Sequence, residues 1–102
     1  MRVYISGQIT GLDPQVSQSY FQLIEDQLTK NGHIAVNPWK VLPYDPKHKY
    51  EDYMAEDVRV LLTCDAIIML ENWRNSKGAK MEHAIAEIQG MKMCYCQNHD
   101  LI

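Results

Sequence analysis

Two carboxylates, a phenol and a hydroxyl are the side chains here whose types and spacing admit chemistry: Glu82, Asp57, Tyr4 and Ser76. An ionised, positioned carboxylate is what a covalent glycosidase-type nucleophile requires. Glu82 falls in the first turn or so of a helix opening near Gly78, where the helix dipole favours its charged form. Ser76 stands at that entrance, placed to cap free backbone N–H groups, and the same groups make a ready anion site. Asp57 is the candidate acid for a departing group. Each has a plainer reading as well. Glu82 is then a surface residue complementing the dipole, Ser76 only a cap, Asp57 a solvated charge and Tyr4 a core aromatic. Taken singly, the plainer readings prevail; only convergence on one crevice makes a site.

Whether they converge depends on the elements that carry them. Val3-Tyr4-Ile5 reads as a first strand closed by Ser6-Gly7. Phe21, Ile24 and Leu28 recur at helical spacing between Ser17 and Asn31, with Gly32 as the stop. His33 to Val36 reads as a second strand. Residues 37–49 hold three of the four prolines with Trp39 and Tyr44, so an ordered loop is expected there. Tyr50 to Thr63 is helical, Ala66 to Leu70 an apolar central strand, Gly78 to Gln89 a third helix and Met91 to Cys96 a fourth strand. Strands alternating with helices predict a flavodoxin-like or Rossmann-like α/β fold in three layers, with a parallel sheet of order 2-1-3-4. Ligands in such sheets bind beyond the carboxyl ends of the strands where the order reverses, between strands one and three. The loops Ser6-Gly7-Gln8-Ile9-Thr10-Gly11 and Glu71 to Ser76, with Trp73, must face that crevice. Asp65 precedes the third strand at the wrong end of the sheet. Asp57, eight residues earlier on an antiparallel helix, sits roughly 12 Å back toward the crevice at 1.5 Å per residue.

Composition removes several function classes. The 102 residues make one domain, 1–102, 46% hydrophobic and 23% charged. A net charge of −3 and no basic stripe longer than Lys47-His48-Lys49 argue against a nucleic-acid polymer as partner. The run Ala66 to Leu70 is too short to span a bilayer, and the chain starts directly into Arg2-Val3-Tyr4-Ile5 without a secretory pattern. Three cysteines argue for a reducing compartment, so a cytoplasmic protein is expected. Gly7 and Gly11 do not form G-x-G-x-x-G, and no G-K-[ST] occurs. Cys94-Tyr95-Cys96 with His99 lacks a second ligand pair, so neither metal nor cofactor is expected.

At this point the residues resemble a family. Met1 to Gly11 is similar to the opening of the nucleoside 2-deoxyribosyltransferase-like superfamily. So are Asn37-Pro38, Glu56-Asp57 through Cys64-Asp65-Ala66, and Ser76 through Glu82. The nearest grouping is a small uncharacterised bacterial and phage family of that superfamily, and the resemblance covers nearly the whole chain. It implies that Glu82 is the nucleophile attacking the anomeric carbon, Tyr4 its holder and Asp57 the residue assisting at sugar and base. Ser76 matches the serine by which 2′-deoxynucleoside 5′-phosphate N-hydrolases bind phosphate, where transferases carry an aspartate. Thr10 departs from those hydrolases, which have an arginine there; Lys77, Lys80 or Arg74 must then supply the positive charge.

The implied function is cleavage, by hydrolysis or base exchange, of the N-glycosidic bond of a deoxynucleoside or its 5′-monophosphate. Substrate contacts are expected from Ser6, Gly7, Ile9, Gly11, Trp73, Ser76 and Gly78, with Trp39, Tyr44 and Trp73 offered for stacking on the base. Two other readings stay open: a non-catalytic nucleotide-binding module, and an interaction protein with a vestigial pocket. A homodimer or higher homo-oligomer is also expected. One helix on the thin side of the sheet is taken to leave Ile67, Ile68, Met69, Met91, Met93 and Tyr95 uncovered. The superfamily resemblance points the same way, since it implies an oligomer in which a neighbour's chain helps to close the pocket, and the tail Gln97 to Ile102 is the segment offered for that part.

Overall fold

Tyr4 and Ile5 sit in β1 (Arg2–Ser6), a strand whose last four residues are all buried. That burial follows from its place inside the sheet, with β2 (Ile34–Val36) on one side and β3 (Ala66–Met69) on the other. The fourth strand, β4 (Lys92–Tyr95), pairs with β3. Every pairing is parallel and the order is β2-β1-β3-β4, as the sequence pattern predicts. The computed structural model describes residues 1–43 and 45–96. Tyr44 and the tail Gln97 to Ile102 lie outside them, and so do the roles expected of those residues.

Three helices connect the strands: α1 (Pro14–Lys30), α2 (Tyr50–Leu61) and α3 (Lys77–Ile88). Asp13 starts α1 by accepting hydrogen bonds from the backbone N–H groups of Gln15 and Val16, with Pro14 in the first turn. The start therefore falls three residues before the sequence-based boundary, because the cap and not the apolar stripe decides it. Gly32, at φ +86°, reverses the chain into β2. Asp52 accepts from the Lys49 N–H at 2.7 Å to start α2, and Ser76 Oγ accepts from the Ala79 N–H at 3.1 Å to start α3. No helix among the described residues is long and apolar enough to cross a membrane.

Alternation along the strands divides the core in two. Val3, Ile5, Ile68 and Cys94 pack against Phe21, Ile24 and Leu28 of α1. Tyr4, Ile67 and Met69 pack beneath α2 and α3 with Leu61, Ala79 and Ala86, and Met91 and Met93 join them. The helices are thus distributed one against two, but the uncovered patch expected on the α1 side is absent. Ile67, Ile68 and Met69 are fully buried. Ile67, Met69, Met91 and Met93 belong to the two-helix side in any case. A 17-residue helix suffices on the thin side because Ile9, Tyr20, Ala35 and Trp39 flank it, and the β4 edge adds to that core only Cys94, with Cys96 just beyond the strand.

Candidate active site

Residues two apart on a strand share a face, so Tyr4 and Ser6 both point from β1 toward α3. Glu82 comes down from α3 to meet them. Tyr4 Oη donates to Glu82 Oε2 at 2.6 Å, and Ser6 Oγ donates to Glu82 Oε1 at 2.7 Å. Each carboxylate oxygen therefore accepts one hydrogen bond from a hydroxyl. Glu82 lies in the second turn of α3, not the first as the sequence suggested, so the two hydroxyls rather than the helix end support its charge. Burial works against that charge and raises the Glu82 pKa to about 7, with the two hydrogen bonds pulling it back. Burial, then the Glu82 charge, hold Tyr4 well above the ordinary phenol range, so it stays a donor.

Asp57, on α2, faces the same space and is 9% exposed. Its pKa rises to about 7, first through burial and then through the charges of Glu82 and Glu56. Two carboxylates on one cavity titrate as a pair. Both hydroxyl donors point to Glu82, an arrangement that favours the negative charge there and the proton on Asp57. At the other end of the sheet, Asp65 Oδ2 accepts from the Arg2 N–H at 2.9 Å, a fastening for the start of β1.

The space these groups face is a cavity of about 640 Å³ at the carboxyl ends of β1 and β3. Its floor includes Gly7, Ile9 and Thr10 of the first crevice loop. A side chain at position 7 would put its Cβ 2.8 Å from Leu70, so only glycine lets this loop pass the end of β3. Gln8 N–H donates to Asn72 Oδ1 at 3.0 Å and joins the two crevice loops. Asn75, Ser76, Lys77, Gly78 and Ala79 form the side at the start of α3. Gly78 allows close approach of α2, since a Cβ there would lie 3.1 Å from Met54 Sδ and 3.4 Å from Tyr50 Oη.

The rest of the lining is largely aromatic and apolar: Trp39, Leu42, Tyr50, Tyr53 and Met54. Asn37 Oδ1 caps the 3-10 turn Pro38–Lys40 by accepting from the Trp39 N–H, and Trp39 Nε1 donates to Ser17 Oγ at 3.3 Å. Sequence reasoning proposed Trp39 and missed the two tyrosines. Their signal was the spacing 50, 53, 54, 57, one face of α2 ending on Asp57.

Several expected contacts resolve differently. Ser6 is fully buried and acts on the Glu82 carboxylate, away from the cavity surface. Gly11 lies outside the lining and turns its loop at φ +89°. Trp73 also lies outside it, stacked on His83 at 4.3 Å with Arg74 over its ring at 5.0 Å. The 3-10 turn Trp73–Asn75 aims that ring at α3 and β4, where Tyr95 Oη lies 2.7 Å from His83 Nε2. Of the three candidate cations, Lys77 alone lines the cavity. No metal-binding group of histidine, cysteine or acidic residues occurs among the described residues.

A family model, "Domain of unknown function (DUF4406)", matches residues 1–95. The chain belongs to this family. No protein of curated function matches the DUF4406 chain by sequence. In structure it is similar to a 2-deoxyribosyltransferase of Leishmania mexicana, with a TM-score of 0.70 at 15% identity over 92% of this chain. A 2-deoxyribosyltransferase from the psychrotolerant bacterium Bacillus psychrosaccharolyticus is similar at TM-score 0.65 and 15% identity, over the whole of this chain and 77% of that one. The chain spans 62% of the Leishmania protein. The α/β fold with sheet order 2-1-3-4 is therefore shared with deoxyribosyltransferases.

Proposed function

We propose that this chain is a cytoplasmic enzyme cleaving the N-glycosidic bond of a deoxynucleoside or its 5′-monophosphate. The observation that carries this reading is the buried Glu82 carboxylate, gripped by Tyr4 and Ser6 and facing Asp57 across one cavity. A Glu82 oxygen attacks the anomeric carbon, forming an ester as the bond to the base nitrogen breaks. The base leaves with the bonding electron pair and takes the Asp57 proton. Water, or a second base, then attacks the same carbon and releases Glu82, giving up its proton to Asp57. Two displacements retain configuration.

Trp39, Tyr50 and Tyr53 supply flat surfaces for the base. At the start of α3, Lys77 supplies the charge that Thr10 lacks. Ser76 Oγ, already an acceptor for the Ala79 N–H, keeps its own proton to donate to a phosphate oxygen.

Incubation with a panel of deoxynucleosides and their monophosphates, followed by chromatography for free base, tests the reading. Release by the unmodified protein and none by Glu82→Ala supports it. Binding without release identifies a nucleotide-binding module instead, and neither binding nor release removes the assignment.

A further inference from the structure

The buried stripe of α1 consists of Ser17, Phe21, Ile24 and Leu28 at helical spacing. Three of the four are apolar, as a core-facing stripe requires. The first is a serine, only 2% exposed, where alanine would favour the helix and leave no hydroxyl to satisfy. Its Oγ donates to the Gln8 carbonyl at 3.3 Å and accepts from Trp39 Nε1 at 3.3 Å. Both partners belong to the cavity. Trp39 lines it, and Gln8 stands between Gly7 and Ile9, which line it too. Gln8 N–H donates in turn to Asn72 Oδ1 at 3.0 Å. One hydroxyl therefore joins the Trp39 ring to both crevice loops, from a helix packed on the face of the sheet opposite Glu82.

The Ser17 bond acts on the Trp39 ring and not on its backbone. The turn Pro38–Lys40 that carries the ring is fastened to α1 separately. Asn37 Nδ2 donates to Glu25 Oε1 at 3.2 Å, and Lys40 Nζ donates to Glu25 Oε2 at 2.9 Å. With the turn held, the freedom left to Trp39 is rotation about its side-chain bonds. The bond from Nε1 to Ser17 fixes that rotation. Without its acceptor, a part-buried indole N–H loses free energy only by turning toward water, and the ring face turns with it.

We propose that Ser17 is a positioning residue, whose hydroxyl holds the Trp39 ring against the cavity for stacking on a planar ligand. That the ligand is a nucleoside base rests on the function proposed above; the holding of the ring does not. A stacking surface binds ground state and transition state alike, so its displacement raises KM and leaves kcat nearly unchanged.

Two measurements test this. Trp39 and Trp73 are the only tryptophans, so Trp73→Phe makes near-ultraviolet circular dichroism a signal of Trp39. In that background Ser17→Ala should weaken the tryptophan band by about half or more, with the far-ultraviolet spectrum unchanged. An unaltered band overturns the proposal, whatever the chain binds. The second measurement is calorimetry with deoxyadenosine and thymidine 5′-monophosphates. Ser17→Ala should raise Kd about fivefold, with kcat for base release within about twofold. Trp39→Phe keeps a flat ring but has no N–H to hold, so Ser17→Ala should add nothing further in that background. An unchanged Kd, or an equal loss in both backgrounds, overturns the proposal. If neither monophosphate nor any deoxynucleoside binds the unmodified protein, the nucleoside reading falls instead, and the Trp39 band alone decides the role of Ser17.

Discussion

The two faces of the sheet are built from the same strands to opposite ends. Toward α1, β1 and β3 present Val3, Ile5, Ala66 and Ile68, which pack into an apolar cluster with Phe21, Ile24 and Leu28. Toward α2 and α3, β1 presents Tyr4 and Ser6, and a carboxylate is buried against them. An unpaired buried charge costs several kcal/mol, so the second face is tolerable only because both Glu82 oxygens are hydrogen-bonded. One face is specialised for stability. The other gives up stability to hold a buried carboxylate and an opening beside it.

The largest expected effect lies on the second face. Glu82→Ala should lower base release by about 10⁴-fold or more, while bound ligand measured by calorimetry changes little. Unaltered turnover would make Glu82 a structural residue, and the contrast between the faces would disappear. On the first face, Phe21→Ala should cost about 3–5 kcal/mol in urea unfolding, because it opens a cavity in a dry core. Material that remains folded should keep its turnover per site.

A third measurement sharpens the comparison through pH. Burial raises both Glu82 and Asp57 to about 7, from 4.5 and 3.8. Between these values the folded chain holds protons that the unfolded chain has released, so stability must fall as pH rises. The contribution is complete below about pH 4 and lost as pH rises through about 7, on the order of 3–4 kcal/mol for each carboxyl taken alone. Melting temperature should decline across that window, and Asp57→Asn should flatten the decline. A flat profile in the unmodified protein would mean that the carboxylates are not desolvated. Turnover should fall on both sides of an optimum, acid loss reporting protonation of Glu82 and alkaline loss deprotonation of Asp57.

The smallest effect concerns Ser76. Removing its cap in Ser76→Ala should cost about 1 kcal/mol in a thermal melt. The same change should narrow any preference for a monophosphate over its nucleoside in competition binding. Equal binding of the two ligands by the unmodified protein would exclude a phosphate subsite at the start of α3.

Strand order, the one-against-two distribution of helices and the crevice between β1 and β3 were all legible beforehand. They follow from local periodicity and the handedness of crossovers, which act on any sequence of this pattern. Tyr4, Asp57 and Glu82 were legible as a group for the same reason, since topology alone sends them to one end of the sheet. Ser6 was legible in principle through its two-residue spacing from Tyr4. Trp73 was not: a 3-10 turn decides which way its ring points, and a turn of three residues leaves no periodic trace.

By itself, then, the sequence determined which residues arrive at the crevice, because periodicity and chain direction are local properties carried by the order of residue types. Tertiary structure alone decided what each does on arrival. Whether a serine faces a ligand or a carboxylate, and which of two acids keeps the proton, depends on distances of a few ångströms between distant segments. Which apolar side chains stay in water depends on them too. Hydrogen bonding, desolvation and packing all change steeply over those distances, and the linear chain does not encode them locally.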